Sequence, residues 1–212
     1  MTDEKDDENA NDGIKIILLG ESGVGKTNLI NIAIGNPFNE NEKSTAASSF
    51  SEKKIKVKGK EYKLNIWDTI GQELYRQLTK IFYNNSKIVL FVYDITSKKS
   101  FDELNYWTKD VESQLGDKIV KGVIANKMDL FLDEQVKEEE GEEYANSIGA
   151  KFLAFSAKTE NPKKIEQYLA ELVEEYLTKR DDNDDNINGR ITLSKKVASR
   201  ENKKHKCFKC SE

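Results

Sequence analysis

Histidine is almost absent from this chain. His205 is the only one, so any site that needs two imidazoles is excluded. Cysteine is nearly as scarce. Cys207 and Cys210 both lie within the last six residues, which excludes a fold held by disulfides. Proline occurs twice, and loop-type clusters are few between residues 13 and 180, so no internal domain boundary is expected there. No run of 18 apolar residues exists, which excludes a transmembrane helix. The opening stretch MTDEKDDENAND has no apolar core and is expected to be neither a signal nor a transit peptide. No repeat at solenoid periods is visible.

What is present is charge, unevenly distributed. Charged residues make up 34% of the chain against 37% hydrophobic, and the polar excess is expected in disordered ends. Residues 1–12 carry six acids and one lysine and read as a solvated arm. After a second acidic stretch, DDNDDN at 181–186, residues 190–209 carry eight Lys or Arg and one acid, Glu201. Three segments are therefore expected: an acidic arm over 1–12, a folded domain over 13–180, and a flexible tail over 181–212.

The domain alternates two periodicities. IKIILLG (14–20), KIVLFVYD (87–94), IVKGVIAN (119–126) and KFLAFSA (151–157) read as buried strands. KIKVKGKEYKLNIW (54–67) has period two on either side of Gly59-Lys60 and predicts a hairpin with one buried face. Ile165, Tyr168, Leu169, Leu172, Val173 and Tyr176 form the stripe of a final helix. The class is therefore α/β, in three layers: a six-stranded, mostly parallel sheet with one antiparallel edge strand and helices on both faces. Ligands of such folds bind beyond the carboxyl ends of the strands.

The first strand leads into GESGVGKT (20–27), which fits G-x-x-x-x-G-K-[ST] in the required strand–loop–helix context. Gly20, Gly23 and Gly25 let the backbone curl its N–H groups around a phosphate, helped by the helix N-terminus. Lys26 would reach the β- and γ-phosphates, and Thr27 would offer its hydroxyl to Mg²⁺. Ser22, Val24 and Asn28 complete the nucleotide contacts expected here. By itself this loop does not separate ATPases, GTPases and small-molecule kinases.

ANKMDL (125–130) follows a buried strand. Asp129 could accept two hydrogen bonds from guanine N1–H and its 2-amino group, which adenine does not offer. Asn126 and Lys127 would brace the loop and cover the base. SAK (Ser156, Ala157, Lys158) ends the next strand and would place the Ala157 N–H against guanine O6. Each motif alone is weak; the pair, each at a strand end, argues against a kinase or an ATPase.

In this order, GESGVGKT, WDTIGQE (67–73), NKMD and SAK resemble the small GTPases of the Ras superfamily. KLNIWDTIGQE, YRQLT (75–79), FVYDITSKKSFDELNYW (91–107) and the tail cysteines are similar to the Rab family. The likeness covers about residues 13–180. It implies a GTP/GDP switch that hydrolyses GTP slowly, with Mg²⁺, as a monomer with no nucleic-acid partner. It further implies that Thr45 binds Mg²⁺ and the γ-phosphate (Ser44 is the neighbouring alternative), that Phe38 packs on guanine and that Asp68 holds the Mg²⁺ site. The Gly71 N–H would contact the γ-phosphate, and Gln72 would orient the attacking water. Exchange factors, activating proteins and effectors would act on the switch regions, in vesicle traffic at the cytoplasmic face of intracellular membranes, with a cytosolic pool. Cys207 and Cys210 would be lipidated with the help of an escort protein and a prenyl transferase, beside a basic tail that favours anionic lipid.

The chain departs from the family pattern in three places. AASSF (46–50) replaces the usual effector segment, so partner identity does not carry over. Ile70 stands where the family has alanine, which motivates a rival reading: a GTP-binding recruitment module with little hydrolysis. The ending CFKCSE is not a C-a-a-X box.

Overall fold

The computed structural model describes residues 13–41, 49–69, 82–116 and 119–181. The described residues up to 176 form one compact unit; those beyond it, 177–181, belong to a second and are helical. In the first unit, six strands form one sheet: β1 (Ile14–Leu19), β2 (Ser49–Val57), β3 (Lys60–Asp68), β4 (Ile88–Asp94), β5 (Val120–Asn126) and β6 (Lys151–Ala154). Their order is β2-β3-β1-β4-β5-β6, with β2 antiparallel to β3 and every other pair parallel. The expected class is therefore met, including the antiparallel edge strand.

The described helices of this unit are α1 (Lys26–Ile34), α2 (Lys98–Asp102), α3 (Leu104–Leu115), α4 (Glu138–Ser147) and α5, which includes 162–176, with a 3-10 helix at Met128–Asp133. Strand β4 is buried at all seven positions and β5 at six of seven, as parallel strands covered on both faces must be. On one face Ile17, Leu19, Val89, Phe91 and Tyr93 pack with Leu104, Trp107 and Val111 of α3 and Ala145 of α4. Helix α5 buries Ile165, Tyr168, Leu169, Leu172 and Val173, and the Tyr168 hydroxyl donates to Lys151 O (2.8 Å). Tyr176, the last residue of that stripe, is half-buried.

The hairpin differs in detail from its expected form. Its turn is Lys58-Gly59, not Gly59-Lys60, and the pair Val57↔Lys60 closes it. Both turn residues have positive φ, 49° and 81°, as the right-handed twist of a two-residue hairpin demands. Glycine serves better at the second position, and the lysine tolerates the first. The two strands also run further than the alternating pattern, to Ser49 and Asp68.

Candidate functional site

The carboxyl ends of the five parallel strands converge on the sequence motifs. Strand β1 delivers the loop 20–27, β3 delivers Asp68, β5 delivers Asn126–Asp129, and the chain beyond β6 delivers Ser156–Lys158. Asp94 ends β4, opposite Asn126 in the strand register. This is where ligands bind in open α/β sheets.

The phosphate loop needs its glycines for space as well as for backbone angle. A Cβ on Gly20 (φ 150°) would lie 2.1 Å from Val92 O, and one on Gly25 (φ 95°) 2.4 Å from Asn126 Nδ2. Helix α1 begins with no side-chain cap and no acid in its first turn. Its N–H groups and positive end are thus left for an external anion. Lys26 is 6% exposed, and its ammonium donates to Gly20 O and Glu21 O, both at 2.8 Å. Burial pushes its pKa down to about 8, against the raising influence of Asp68 and Glu21. A buried cation destabilised in this way gains from a phosphate.

Thr27 Oγ1 donates to Asp68 Oδ2 at 2.6 Å, and Asp68 is buried. The next residue, Thr69, donates its hydroxyl to Leu18 O at 2.5 Å and so fixes the end of β3 to β1. A hydroxyl beside a buried carboxylate is a hard oxygen donor set. It fits a divalent cation that takes its other ligands from phosphate and water.

The base motifs are joined to each other and to the phosphate loop by one side chain. Asn126 Nδ2 donates to Val24 O (2.8 Å), while its Oδ1 accepts from the Ala157 N–H (3.2 Å). Ser156 Oγ donates to Asp129 Oδ1 (2.5 Å) and accepts from the Lys158 and Thr159 N–H groups. Lys127, left-handed at φ 66°, pairs with Asp94 Oδ2 at 2.6 Å.

The loop after α1 is fixed by Asn28, whose amide donates to Asn39 O (3.0 Å) and accepts from Asn39 N–H (2.9 Å). Lys158 reaches the same loop through Glu40 (2.9 Å). Phe38 immediately precedes these anchors and is half-buried. Ser22 and Gly23 are exposed at the tip of the phosphate loop. Thr45, Ile70, Gly71, Gln72, Cys207 and Cys210 lie outside the described residues.

Sequence reading missed Thr69, Asp94, Asn39 and Glu40. Asp94 carried a usable signal, as the last residue of the buried run KIVLFVYD, and Thr69 one through its place in WDTIGQE. Asn39 and Glu40 carried none.

A sequence model of the Ras family matches residues 15–178. The chain belongs to the Ras family. Among its relatives, the Ras-related protein Rab-21 of Geodia cydonium is 43% identical over 144 residues, which are 68% of this chain and 63% of that protein. Human Rab-8B is 36% identical over 199 residues, covering 93% of this chain and 95% of that one. Human Rab-21 is 40% identical over 158 residues, 74% of this chain and 69% of its own. The chain is thus a Rab-like small GTPase of membrane traffic, which binds guanine nucleotide and hydrolyses GTP.

Proposed function

We propose that the strand-end cradle holds Mg²⁺–GTP and that its hydrolysis is a slow timer for partner binding at a membrane. The observation that carries this is Asn126, which couples the Val24 carbonyl of the phosphate loop to the Ala157 N–H of the base loop. The phosphate loop and the base loop are therefore joined into one site that a single nucleotide can contact. Guanine is read by Asp129 and the Ala157 N–H. Lys127 covers the base from one side, and Phe38 packs on it from the other.

The chemistry is in-line attack of water on the γ-phosphorus, with the bond to the β,γ-bridging oxygen breaking and GDP leaving. Lys26 and the loop N–H groups stabilise the charge that spreads over the phosphate oxygens. Thr27, Asp68 and Thr45 would hold Mg²⁺, which when bound neutralises phosphate charge. Gln72 orients the water. No motif supplies an arginine in cis, so the unaided rate is slow, and an activating protein would raise it by roughly 10³–10⁵-fold. Thr45 and Gly71 sense the γ-phosphate, and their release on hydrolysis changes the surface that effectors and exchange factors meet.

Among the described residues, no helix is long and apolar enough to cross a membrane. Membrane attachment is assigned to lipid on Cys207 and Cys210, acting with the basic tail. The likeness to Rab-21 and Rab-8B supports a trafficking role.

The test is single-turnover hydrolysis of Mg²⁺–GTP by the full chain beside Gln72→Leu and Ile70→Ala. The proposal expects slow turnover by the wild type and a loss of at least about tenfold in Gln72→Leu. Background hydrolysis by the wild type, restored in Ile70→Ala, would instead make the chain a recruitment module.

A further inference from the structure

We propose that Asp94 is a positioning residue of the guanine pocket, because its carboxylate anchors the ammonium of Lys127 and so fixes the side chain that covers the base. The inference rests on the role given to Lys127 above.

Asp94 is the last residue of β4, and nothing in the nucleotide motifs includes it. Its side chain is 11% exposed, against 33% for Lys127, and the two meet at 2.6 Å. Exposed ion pairs contribute little, largely because two long side chains must be ordered to form them. Asp94 is already ordered. Its Oδ1 accepts from the Thr96 N–H (2.8 Å) and the Thr96 hydroxyl (2.7 Å), which leaves Oδ2 facing Lys127. The backbone beneath is held as well. Ser97 N–H donates to Asp94 O (3.0 Å), and the Asp94 N–H donates to Ser100 Oγ (3.0 Å). The carboxylate is therefore a preformed anchor.

Lys127 is the side chain that needs one. Its backbone is left-handed (φ 66°, ψ 35°), a conformation uncommon outside glycine, asparagine and aspartate. Its neighbours fix its backbone. Ile95 N–H donates to Asn126 O (3.2 Å), Met128 N–H to Phe155 O (3.3 Å) and Leu130 N–H to Lys127 O (2.8 Å). With the backbone held at one end and the ammonium at the other, the four-carbon stem has little freedom left. An apolar stem ordered before the nucleotide arrives gives up less entropy on binding, which is how preorganisation raises affinity.

The competing explanation is that Asp94 merely shapes the turn at 94–97. Asp94→Asn separates the two, because the asparagine carbonyl keeps both Thr96 bonds while the charge facing Lys127 is lost. The measurement is release of a fluorescent GDP analogue from the full chain. We expect Asp94→Asn to speed release about 5–10-fold, the scale of one lost charge-assisted contact. Lys127→Met should speed release at least as much, and adding Asp94→Asn to Lys127→Met should change nothing further. Thr96→Val, which leaves the carboxylate but loosens it, should give a smaller shift in the same direction and serves should Asp94→Asn fold poorly. Normal release in both Asp94→Asn and Thr96→Val overturns the proposal. So does equal acceleration by Asp94→Asn with and without Lys127, which would place the effect in the turn. Normal release in Lys127→Met would sink the reading of Lys127 itself, and the proposal with it.

Discussion

Lys26 shows how function is held against stability in a single side chain. Its ammonium is buried and donates to two carbonyls, and burial lowers its pKa to about 8 against the influence of Asp68 and Glu21. The unfolded chain returns the lysine to its ordinary value of 10.5. Between those values the unfolded state binds more protons than the folded one, so stability rises with pH across that window and the penalty is full below it. Lys26→Met removes the titrating group and keeps the volume. In nucleotide-free protein at pH 7 the methionine variant should be more stable than wild type by on the order of 2–3 kcal/mol, and the gap should close as pH approaches 10. Urea unfolding of both proteins at pH 7 and pH 9.5 measures this. A gap that does not change with pH would mean that the ammonium carries no burial penalty. The same variant should fail to retain GDP, because the anion that compensates the lysine has lost its partner.

At the scale of elements, legibility followed periodicity and ended where periodicity ended. The apolar runs of β1, β4 and β5 and the stripe Ile165–Val173 were readable because burial repeats along them. The glycine loop and the N-K-x-D stretch were readable because their chemistry is local in sequence. Contacts between distant segments were not. Asn126 meets Val24 across 102 positions, and no local pattern encodes that meeting. The 3-10 helix Met128–Asp133 is a second case. Leu130, Phe131 and Leu132 are apolar, yet they are 40%, 64% and 86% exposed. The helix is short and kinked at Leu130 (φ −96°, ψ 34°), so none of its residues is buried. Val136, three residues beyond the helix, is fully buried in the core. The double change Phe131→Ser and Leu132→Ser should therefore alter stability by less than about 0.5 kcal/mol. Val136→Ala should cost about 1–3 kcal/mol by leaving a cavity. Chemical denaturation of GDP-loaded protein compares them, and a large loss from the serine pair would mean that those side chains are covered in solution.

At the scale of the whole domain, the carboxyl edge of the sheet gathers buried polar groups beside its apolar ones. The core lies between the helices and the strands, while at the strand ends Lys26, Asp68, Asp94, Asn126 and Ser156 are buried polar groups. They bond to Gly20 and Glu21, Thr27, Lys127, Val24 and Asp129 respectively, so polar contacts help to order that edge. Polar contacts that must also receive a ligand are weak cement until the ligand arrives. The nucleotide should therefore act as a structural member. A ligand that binds only the folded state adds about 2.7 kcal/mol at a hundredfold excess over its dissociation constant. For a chain of this size that corresponds to a rise of roughly 5–10 °C in the melting temperature. Stripping GDP with a chelator and phosphatase should lower the transition by at least that much. Restoring GDP should recover it, and ADP at the same concentration should not. Hydrogen exchange would locate the change. Protection should be lost first at the loop 20–27 and at 126–129, while β4 and β5 keep theirs, because their burial does not involve the ligand. Uniform loss across the sheet would refute this division of labour, since it would mean that the core and the strand ends unfold as one unit.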